Sequence, residues 1–320
     1  MSRRTLLLVR WGIFLAAFAF LYVRLAAHQS TNALWGEWRG AIAAMHWPVW
    51  AALLLLMLLN WGIEAAKWRW LVAHVQCMGI ARAFAATLAG TTIGLFTPNR
   101  TGEFIGRVLF LEPEHRWQGS FATLLGSIAQ FVVTIVMGGI AFIVWWQIKR
   151  ASALIAPWGA IAGTTLIAVV VAGALVLFYS PHLLREIVAR VPLLRRFDRA
   201  ASVLDGYSTA ELSAVLGMSA ARYAVFTAQY VLLLVVLAGV PWGFGMLAVP
   251  VIYLVMTLVP TMMLTDLGVR GSIAVALLVP ANGSSAMVLL AAFLLWAVNL
   301  ALPAMTGGLI LLVARIRARP

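Results

Sequence analysis

Long apolar runs separated by short polar segments recur along the whole chain. A helix needs ~20 residues to cross a hydrocarbon core of about 30 Å. Six runs reach that length, at approximately residues 5–26, 47–72, 118–147, 153–179, 217–239 and 284–313. The pattern predicts about six membrane-spanning helices.

Two further apolar stretches are interrupted by polar residues. Residues 83–111 are broken at 97–103 (TPNRTGE), and residues 243–280 are broken at 265–271 (TDLGVRG). Each half has about 10–20 residues, so the shorter halves cannot cross a bilayer alone. We predict that each stretch forms a re-entrant helical hairpin, which dips into the membrane and returns.

The distribution of Arg and Lys favours hairpins over single crossings. Arginines cluster at residues 3–4, 181–200 and 315–319, and loops rich in Arg and Lys remain cytoplasmic. The three clusters fall on one side only if both broken stretches return, although residues 149–150 and Arg39 then face outward. We therefore expect both termini to be cytoplasmic, in the plasma or inner membrane.

This topology predicts an inverted repeat. The hairpins enter from opposite faces, and each half of the chain, 1–150 and 151–320, surrounds one of them with long helices. Broken helices in such repeats meet near the midplane and form a binding site. The predicted fold is an all-α integral membrane protein with a single polytopic domain over residues 1–320.

Two segments are predicted to lie along the membrane surface. Residues 181–215 mix arginines with leucines, which is typical of a segment held on the cytoplasmic leaflet by anionic lipid. A partner-docking surface is the alternative. Residues 27–46 contain Trp35 and Trp38, which favour the outer interface.

The composition makes lipid the solvent of most of the chain. Apolar residues are 63% and charged residues 10%, against about 45–50% and roughly 25% in soluble domains. The net charge of +13 comes from short clusters between apolar runs, so we expect no nucleic-acid binding. The single cysteine excludes an internal disulfide. The scattered histidines indicate no metal site, and no cofactor or oligomeric state is predicted.

The breaks hold most of the candidate chemistry, namely Arg100, Glu103 and Arg107 in the first and Asp266 and Arg270 in the second. A charge at membrane depth costs about 2.5–3.5 kcal/mol on insertion scales, so it persists where it pairs or binds. If the two tips meet, three arginines face two acids, and one surplus positive charge suits a phosphate group. The alternative is that these charges only neutralise one another and pin the broken helices together.

A further acid–base pair, Glu64 and Lys67, lies three residues apart on the second predicted helix. We include both among the candidate substrate-binding residues. The alternative is an anchor at the cytoplasmic end of the helix, where the neighbouring tryptophans would lie at headgroup depth. Arg222, near the start of its predicted helix, is expected to extend to the headgroups.

These motifs resemble the flippase-like transmembrane domain of lysylphosphatidylglycerol synthase/flippase proteins. Residues 97–107 (TPNRTGEFIGR) are similar to the family's Pro-x-Arg-x-Gly-Glu break with a following arginine. Residues 267–270 (LGVR) are similar to its second motif, as are Glu64, Lys67 and Trp68 to its Glu-x-x-Lys-Trp helix. The resemblance spans nearly the whole chain. It implies movement of a phospholipid or polyprenyl-phosphate-linked lipid between leaflets.

The chain also departs from the family pattern. The family's second break has Pro-Gly-Gly before the Gly-Val-Arg and an acid after it, whereas Thr265, Asp266 and Gly271 stand here. The aminoacyl-transferase domain of bifunctional members is missing from the sequence, so lysyl transfer is not expected. Two alternatives remain open: a membrane-embedded enzyme with Glu103 or Asp266 as general base, and a non-transporting assembly subunit. No P-loop, HExxH or GxSxG motif favours the enzyme.

Overall fold

All regular structure in the described part of the chain is helical. The computed structural model describes residues 31–97, 100–150, 157–192, 194–259, 263–279 and 284–314. The α-helices are α1 (Thr31–Ala44), α2 (Trp47–Val72), α3 (Ile80–Leu95), α4 (Gly102–Val108), α5 (Arg116–Arg150), α6 (Pro157–Tyr179), α7 (Pro181–Arg190), α8 (Asp198–Ala201), α9 (Thr209–Ala238), α10 (Trp242–Leu258), α11 (Met263–Leu278), α12 (Ser285–Trp296) and α13 (Leu302–Val313). Short 3₁₀ turns form at Pro113–His115, Arg195–Phe197 and Ser202–Gly206, and a π-helical turn at Ala297–Ala301 joins α12 to α13. The predicted helix at 5–26 and the basic clusters at both ends lie outside the described residues.

Five helical stretches in the described residues are long and apolar enough to cross a membrane. They are Trp47–Val72, Pro113–Ile148, Ala162–Tyr179, Thr209–Ala238 and Ser285–Val313. Each coincides with a predicted span, and the first agrees at both ends. The protein is therefore an all-α, multi-pass integral membrane protein, as predicted.

The start of α9 lies eight residues before its predicted position. Ser208 accepts a hydrogen bond at its Oγ from the Glu211 backbone N–H (3.3 Å). The Glu211 carboxylate accepts one from the Ser208 backbone N–H (2.8 Å). This reciprocal capping box satisfies amide groups that a helix start leaves without partners. The polar residues that follow are thereby included in the helix, although hydropathy alone left them out.

The first broken stretch folds as two short helices, α3 and α4, packed antiparallel. A Cβ placed on Gly94 would meet the Glu103 side chain, and one placed on Gly90 would meet Arg107. The later residue of α4 therefore lies beside the earlier residue of α3, so the two helices run in opposite directions. A Cβ on Gly106 would lie 2.5 Å from the Gly90 Cα atom. Each helix thus presents two glycines four residues apart, which let the two backbones approach closely.

The predicted position of the second break is wrong. Residues 265–271 lie inside α11, and the interruption instead separates Leu258 from Met263. Val259 has an extended backbone (φ −100°, ψ 116°), as expected for the residue before a proline. The polar residues of α11 do not interrupt the helix because Asp266 and Arg270, four apart, pair on one helix face.

Two compact units are distinguished by their internal packing. Unit 1 comprises the described parts of Met1–Met57 and Phe226–Leu302, and unit 2 those of Leu58–Val225 and Pro303–Pro320. In unit 2, the segment predicted to be amphipathic folds into α7, α8 and intervening turns, whose Leu204 packs into a core containing Leu125 and Phe178. A second core, containing Val108 and Leu111, packs the broken stretch against Trp68 and Val72 of α2.

Buried polar contacts hold the helices of unit 1 together. Asn299, in the π-helical turn, donates a hydrogen bond to the Gln229 side chain (2.7 Å), and Gln229 donates one to the Leu53 carbonyl (2.9 Å). Trp38 of α1 stacks on Phe293 and donates a hydrogen bond to a backbone carbonyl of α12. Asn299 therefore serves packing between helices.

Gly106→Ala should destabilise the protein by about 1–3 kcal/mol, the usual effect of overpacking a filled interface. The added methyl group would lie 2.5 Å from Gly90 Cα and 2.7 Å from the Ala89 carbonyl oxygen. Thermal unfolding in detergent measures the change. Gly217→Ala in α9 is the matched control because nothing lies within 4 Å of the added methyl. Equal unfolding temperatures for the two variants would contradict the packing described.

Candidate functional site

A buried carboxylate, Glu64, gathers cations from three helices of unit 2. Its Oε2 atom lies 2.8 Å from Lys67 Nζ and 3.5 Å from Arg222 Nε. Its Oε1 atom lies 2.8 Å from Arg107 Nη1. These partners come from α2, α9 and α4 respectively, so one acid links three segments that are distant in the sequence.

A second carboxylate, Glu103, extends this group toward the break. It lies 2.6 Å from Arg100 Nη2 through Oε1 and 3.3 Å from Arg107 Nη2 through Oε2. We call the six residues Glu64, Lys67, Arg100, Glu103, Arg107 and Arg222 the arginine–glutamate cluster. Its four cations and two carboxylates leave a formal net charge of +2.

Burial differs strongly across the cluster. The side chains of Glu64, Lys67 and Arg107 are 6%, 2% and 6% exposed, whereas those of Glu103 and Arg100 are 18% and 46% exposed. The cluster therefore has a closed end at Glu64 and an open end at Arg100. Removing an ion from water costs several kcal/mol unless partners compensate, so the closed end needs its partners most.

Polar groups on α5 and α9 complete the closed end. Lys67 donates hydrogen bonds to the Gly126 carbonyl and the Ser219 hydroxyl, both at 3.4 Å. Arg222 donates one to the Gln130 side chain (3.3 Å), and its guanidinium lies 5.7 Å from the ring centre of Trp61. Lys67 and Arg222 therefore have specific partners besides Glu64.

Two of the nearby tryptophans are buried within the protein. Trp68 is fully buried and donates a hydrogen bond to the Thr123 hydroxyl (3.0 Å). Trp61 is 3% exposed, and only Trp70 is about half exposed. A belt of tryptophans at headgroup depth requires exposed side chains, so this alternative does not apply to Trp61 and Trp68. Glu64 and Lys67 instead belong to the same cluster as the break residues.

Part of the hydrogen-bonding capacity of the arginines is unused. Among the described residues, Nε of Arg107 and Nε of Arg222 are buried without a hydrogen-bond acceptor. Arginine binds phosphate and carboxylate best when two neighbouring N–H groups act together. In arginine, Nε and Nη2 lie side by side and can bind two oxygens of one anion. On Arg107, Glu103 contacts only Nη2 of this pair.

The second predicted acid–base pair lies in unit 1. Asp266 Oδ2 is 2.8 Å from Arg270 Nη2, and the two side chains are 18% and 13% exposed. The guanidinium lies 6.0 Å from the ring centre of Phe226, which stacks on Tyr253 at 5.3 Å. Arg270 Nε is also buried without an acceptor among the described residues. The arrangement repeats that of Glu103 and Arg107.

Arg222 is the member of the cluster that the sequence analysis assigned elsewhere. With the span starting at Thr209, Arg222 lies thirteen residues along the helix, or ~20 Å from its start. Arg222 is therefore not close to the start of its helix, as the prediction had assumed. Recognising the capping box at Ser208 and Glu211 would have placed Arg222 well inside the helix. The predicted meeting of the two breaks stays a prediction.

A grouping with metal-ligand chemistry, outside the cluster, occurs in the described part of the chain. Ligand atoms of Glu112, Glu114 and His115 come within 4.8 Å of one another. The Glu114 side chain is 74% exposed, and exposed acids are common without a bound ion. We infer no metal site from it.

Comparison with known proteins gives one family. The sequence model described as the lysylphosphatidylglycerol synthase TM region matches residues 8–308. No curated protein matches. The matched range includes the arginine–glutamate cluster, Asp266 and Arg270.

Glu64→Gln should destabilise the protein by about 3–5 kcal/mol, because removing one partner of a buried ion pair leaves the other charges uncompensated. Denaturation in detergent measures this loss. Adding Lys67→Met to the variant should recover part of the stability, since one unpaired cation is then removed. Glu114→Gln is the control on an exposed acid. If Glu64→Gln unfolds like Glu114→Gln, the cluster does not depend on Glu64.

Proposed function

The chain belongs to the family of the lysylphosphatidylglycerol synthase TM region, and from this premise we propose that it is a lipid transporter. It would move a phospholipid or a polyprenyl-phosphate-linked lipid between leaflets. The family supports a function connected with membrane lipids, and the chemistry of the cluster supports an anionic group as the part that is bound.

The observation that carries the proposal is a buried cluster with surplus positive charge and an open end. Four cations against two carboxylates give +2. A purely structural network could reach neutrality with two more acids, which would lower the desolvation penalty of its ions. A bound phosphate of charge −1 to −2 supplies that compensation. The unoccupied Nε of Arg107 supplies the donor.

We further propose that the two breaks have corresponding roles. In each, an acid and an arginine four residues apart lie on the helix after the break, and the arginine keeps a buried Nε without an acceptor among the described residues. Such correspondence is expected of an inverted repeat with re-entrant hairpins. The repeat, the cytoplasmic termini and the location in the plasma or inner membrane are parts of this proposal.

Arg107→Ala and Arg270→Ala should each reduce lipid exchange at least tenfold, since each removes a guanidinium group that can bind the phosphate through two N–H groups. The assay measures leaflet exchange of fluorescent phosphatidylglycerol in proteoliposomes. A labelled polyprenyl phosphate in parallel vesicles distinguishes the two lipid classes. Arg190→Ala is the control because its side chain is 80% exposed and pairs with Glu186.

Mass spectrometry of the same vesicles separates transport from the alternatives. Transport leaves the lipid chemically unchanged, whereas a new covalent product would identify an enzyme. Wild-type exchange by a folded Arg107→Ala, Arg270→Ala double variant would contradict the site. An absence of exchange by the wild-type protein with both lipids would favour an assembly subunit.

A further inference from the structure

We propose that Glu103 is a displaceable placeholder, a tethered carboxylate that occupies the phosphate position on Arg107 and Arg100 until lipid arrives. The inference rests on the proposed function and concerns how the same site is emptied and refilled. It assigns different roles to the two acids of the cluster: Glu64 is a permanent counter-ion, and Glu103 is the group that leaves.

The surroundings of Glu64 hold it in place. Three cations from three helices contact it, at 2.8, 2.8 and 3.5 Å, and its side chain is 6% exposed. One of these cations, Lys67, is itself bonded to Gly126 and Ser219. Moving Glu64 would leave several buried charges without an acid, so a ligand cannot replace it cheaply.

Glu103 has fewer partners than Glu64 among the described residues, although its contact with Arg100 is short, 2.6 Å. Both of its partners are arginines close to it in the sequence, Arg100 and Arg107, and Arg100 is 46% exposed. The contact with Arg107 is long, 3.3 Å, against 2.8 Å for the contact between Arg107 and Glu64. The Glu103 side chain is also three times as exposed as that of Glu64, 18% against 6%. It can therefore move toward the open end without uncovering the closed one.

The geometry at Arg107 favours a phosphate over this carboxylate. Glu103 reaches only Nη2 of Arg107, and the adjacent Nε is buried without an acceptor among the described residues. A phosphate arriving from the open end is not tied to the helix and can place one oxygen on each nitrogen. Two parallel charge-assisted bonds are stronger and more specific than one.

Backbone strain supports a site that changes at Arg100. This residue has φ +58°, in the left-handed region that non-glycine residues seldom adopt. Strain of this kind persists where the surroundings impose it, and it is concentrated at functional sites. The short 2.6 Å contact with Glu103 is one contact that holds Arg100 there. Displacement of Glu103 releases that restraint at the open end of the cluster.

A placeholder also serves release, which transport requires as much as binding. If Glu103 leaves as the phosphate binds, Arg107 has an acid beside Nη2 both before and after. When the lipid departs, the tethered carboxylate competes for the same nitrogen at high local concentration. In the empty site Glu103 again pairs with Arg107, so this buried arginine keeps its second partner. Because the carboxylate competes with the phosphate, the lipid is also not trapped.

Glu103→Gln and Glu103→Asp together test this role. The amide removes the charge, and the shorter acid keeps the charge but cannot span the 3.3 Å contact to Arg107 Nη2. If Glu103 competes for the phosphate position, both variants should bind short-chain phosphatidylglycerol about tenfold more tightly, the ratio expected from losing one competing charge-assisted bond. Both should also exchange labelled lipid more slowly in vesicles because release is impaired.

The measurement is titration of purified protein in detergent, with Arg107→Ala and the wild type alongside. Short-chain diacylglycerol, which lacks phosphate, is the control ligand, and thermal unfolding checks that each variant is folded. If only Glu103→Gln binds the lipid more tightly, the loss of a negative charge explains the result, and the proposal that Glu103 is a placeholder is wrong. Unchanged or weaker binding by both variants would overturn it as well. If Arg107→Ala still loses binding, the proposed function stands. Wild-type binding by Arg107→Ala would remove the site itself, and with it both proposals.

Discussion

The buried carboxylate of Glu64 is the interaction on which unit 2 depends. It accepts ion pairs from Lys67, Arg107 and Arg222, which lie on three separate helices. Each of these charges would cost several kcal/mol to bury alone, so the helices are constrained to meet at one point. The glycine-lined packing of α3 on α4 then has a second consequence. By bringing the two backbones together, it directs Arg107 inward to Glu64 and leaves Arg100 at the exposed end.

The two ends of the cluster therefore differ in their partners and in their exposure to solvent. At its closed end Lys67 and Arg222 pair with Glu64 and also donate hydrogen bonds to groups on α5 and α9, which stabilises a buried network. Toward its open end Glu103 pairs with two arginines and its contact with Arg107 is long. The buried Nε of Arg107, between the two ends, has no acceptor among the described residues. A transporter needs both properties in one site, because the binding groups must be held rigidly while the ligand must come and go. Asp266 and Arg270 repeat the open-end arrangement in unit 1.

Much of this architecture could be predicted from the sequence, for identifiable reasons. Long apolar runs locate spans well because lipid leaves a helix few alternatives, and the break before Arg100 follows from Pro98 and Gly102. The second break was misplaced because polarity was taken as interruption, whereas an ion pair keeps Asp266 and its partner within a helix. Arg222 was misassigned because hydropathy does not detect a capping box. The convergence of α2, α4 and α9 on Glu64 is a tertiary contact that no local pattern encodes.

The proposed function depends on binding of a lipid phosphate to the Nε and Nη2 edge of Arg107. Solid-state NMR with ¹⁵N-labelled arginine can measure dephasing of guanidinium nitrogens by the ³¹P of bilayer phosphatidylglycerol. Direct binding predicts a nitrogen–phosphorus distance of ~4 Å, consistent with a hydrogen bond, for a signal that disappears in Arg107→Lys. If the close signals all persist in that variant, or vanish only when exposed arginines such as Arg190 are replaced, the phosphate is bound elsewhere and Arg107 is not the binding site.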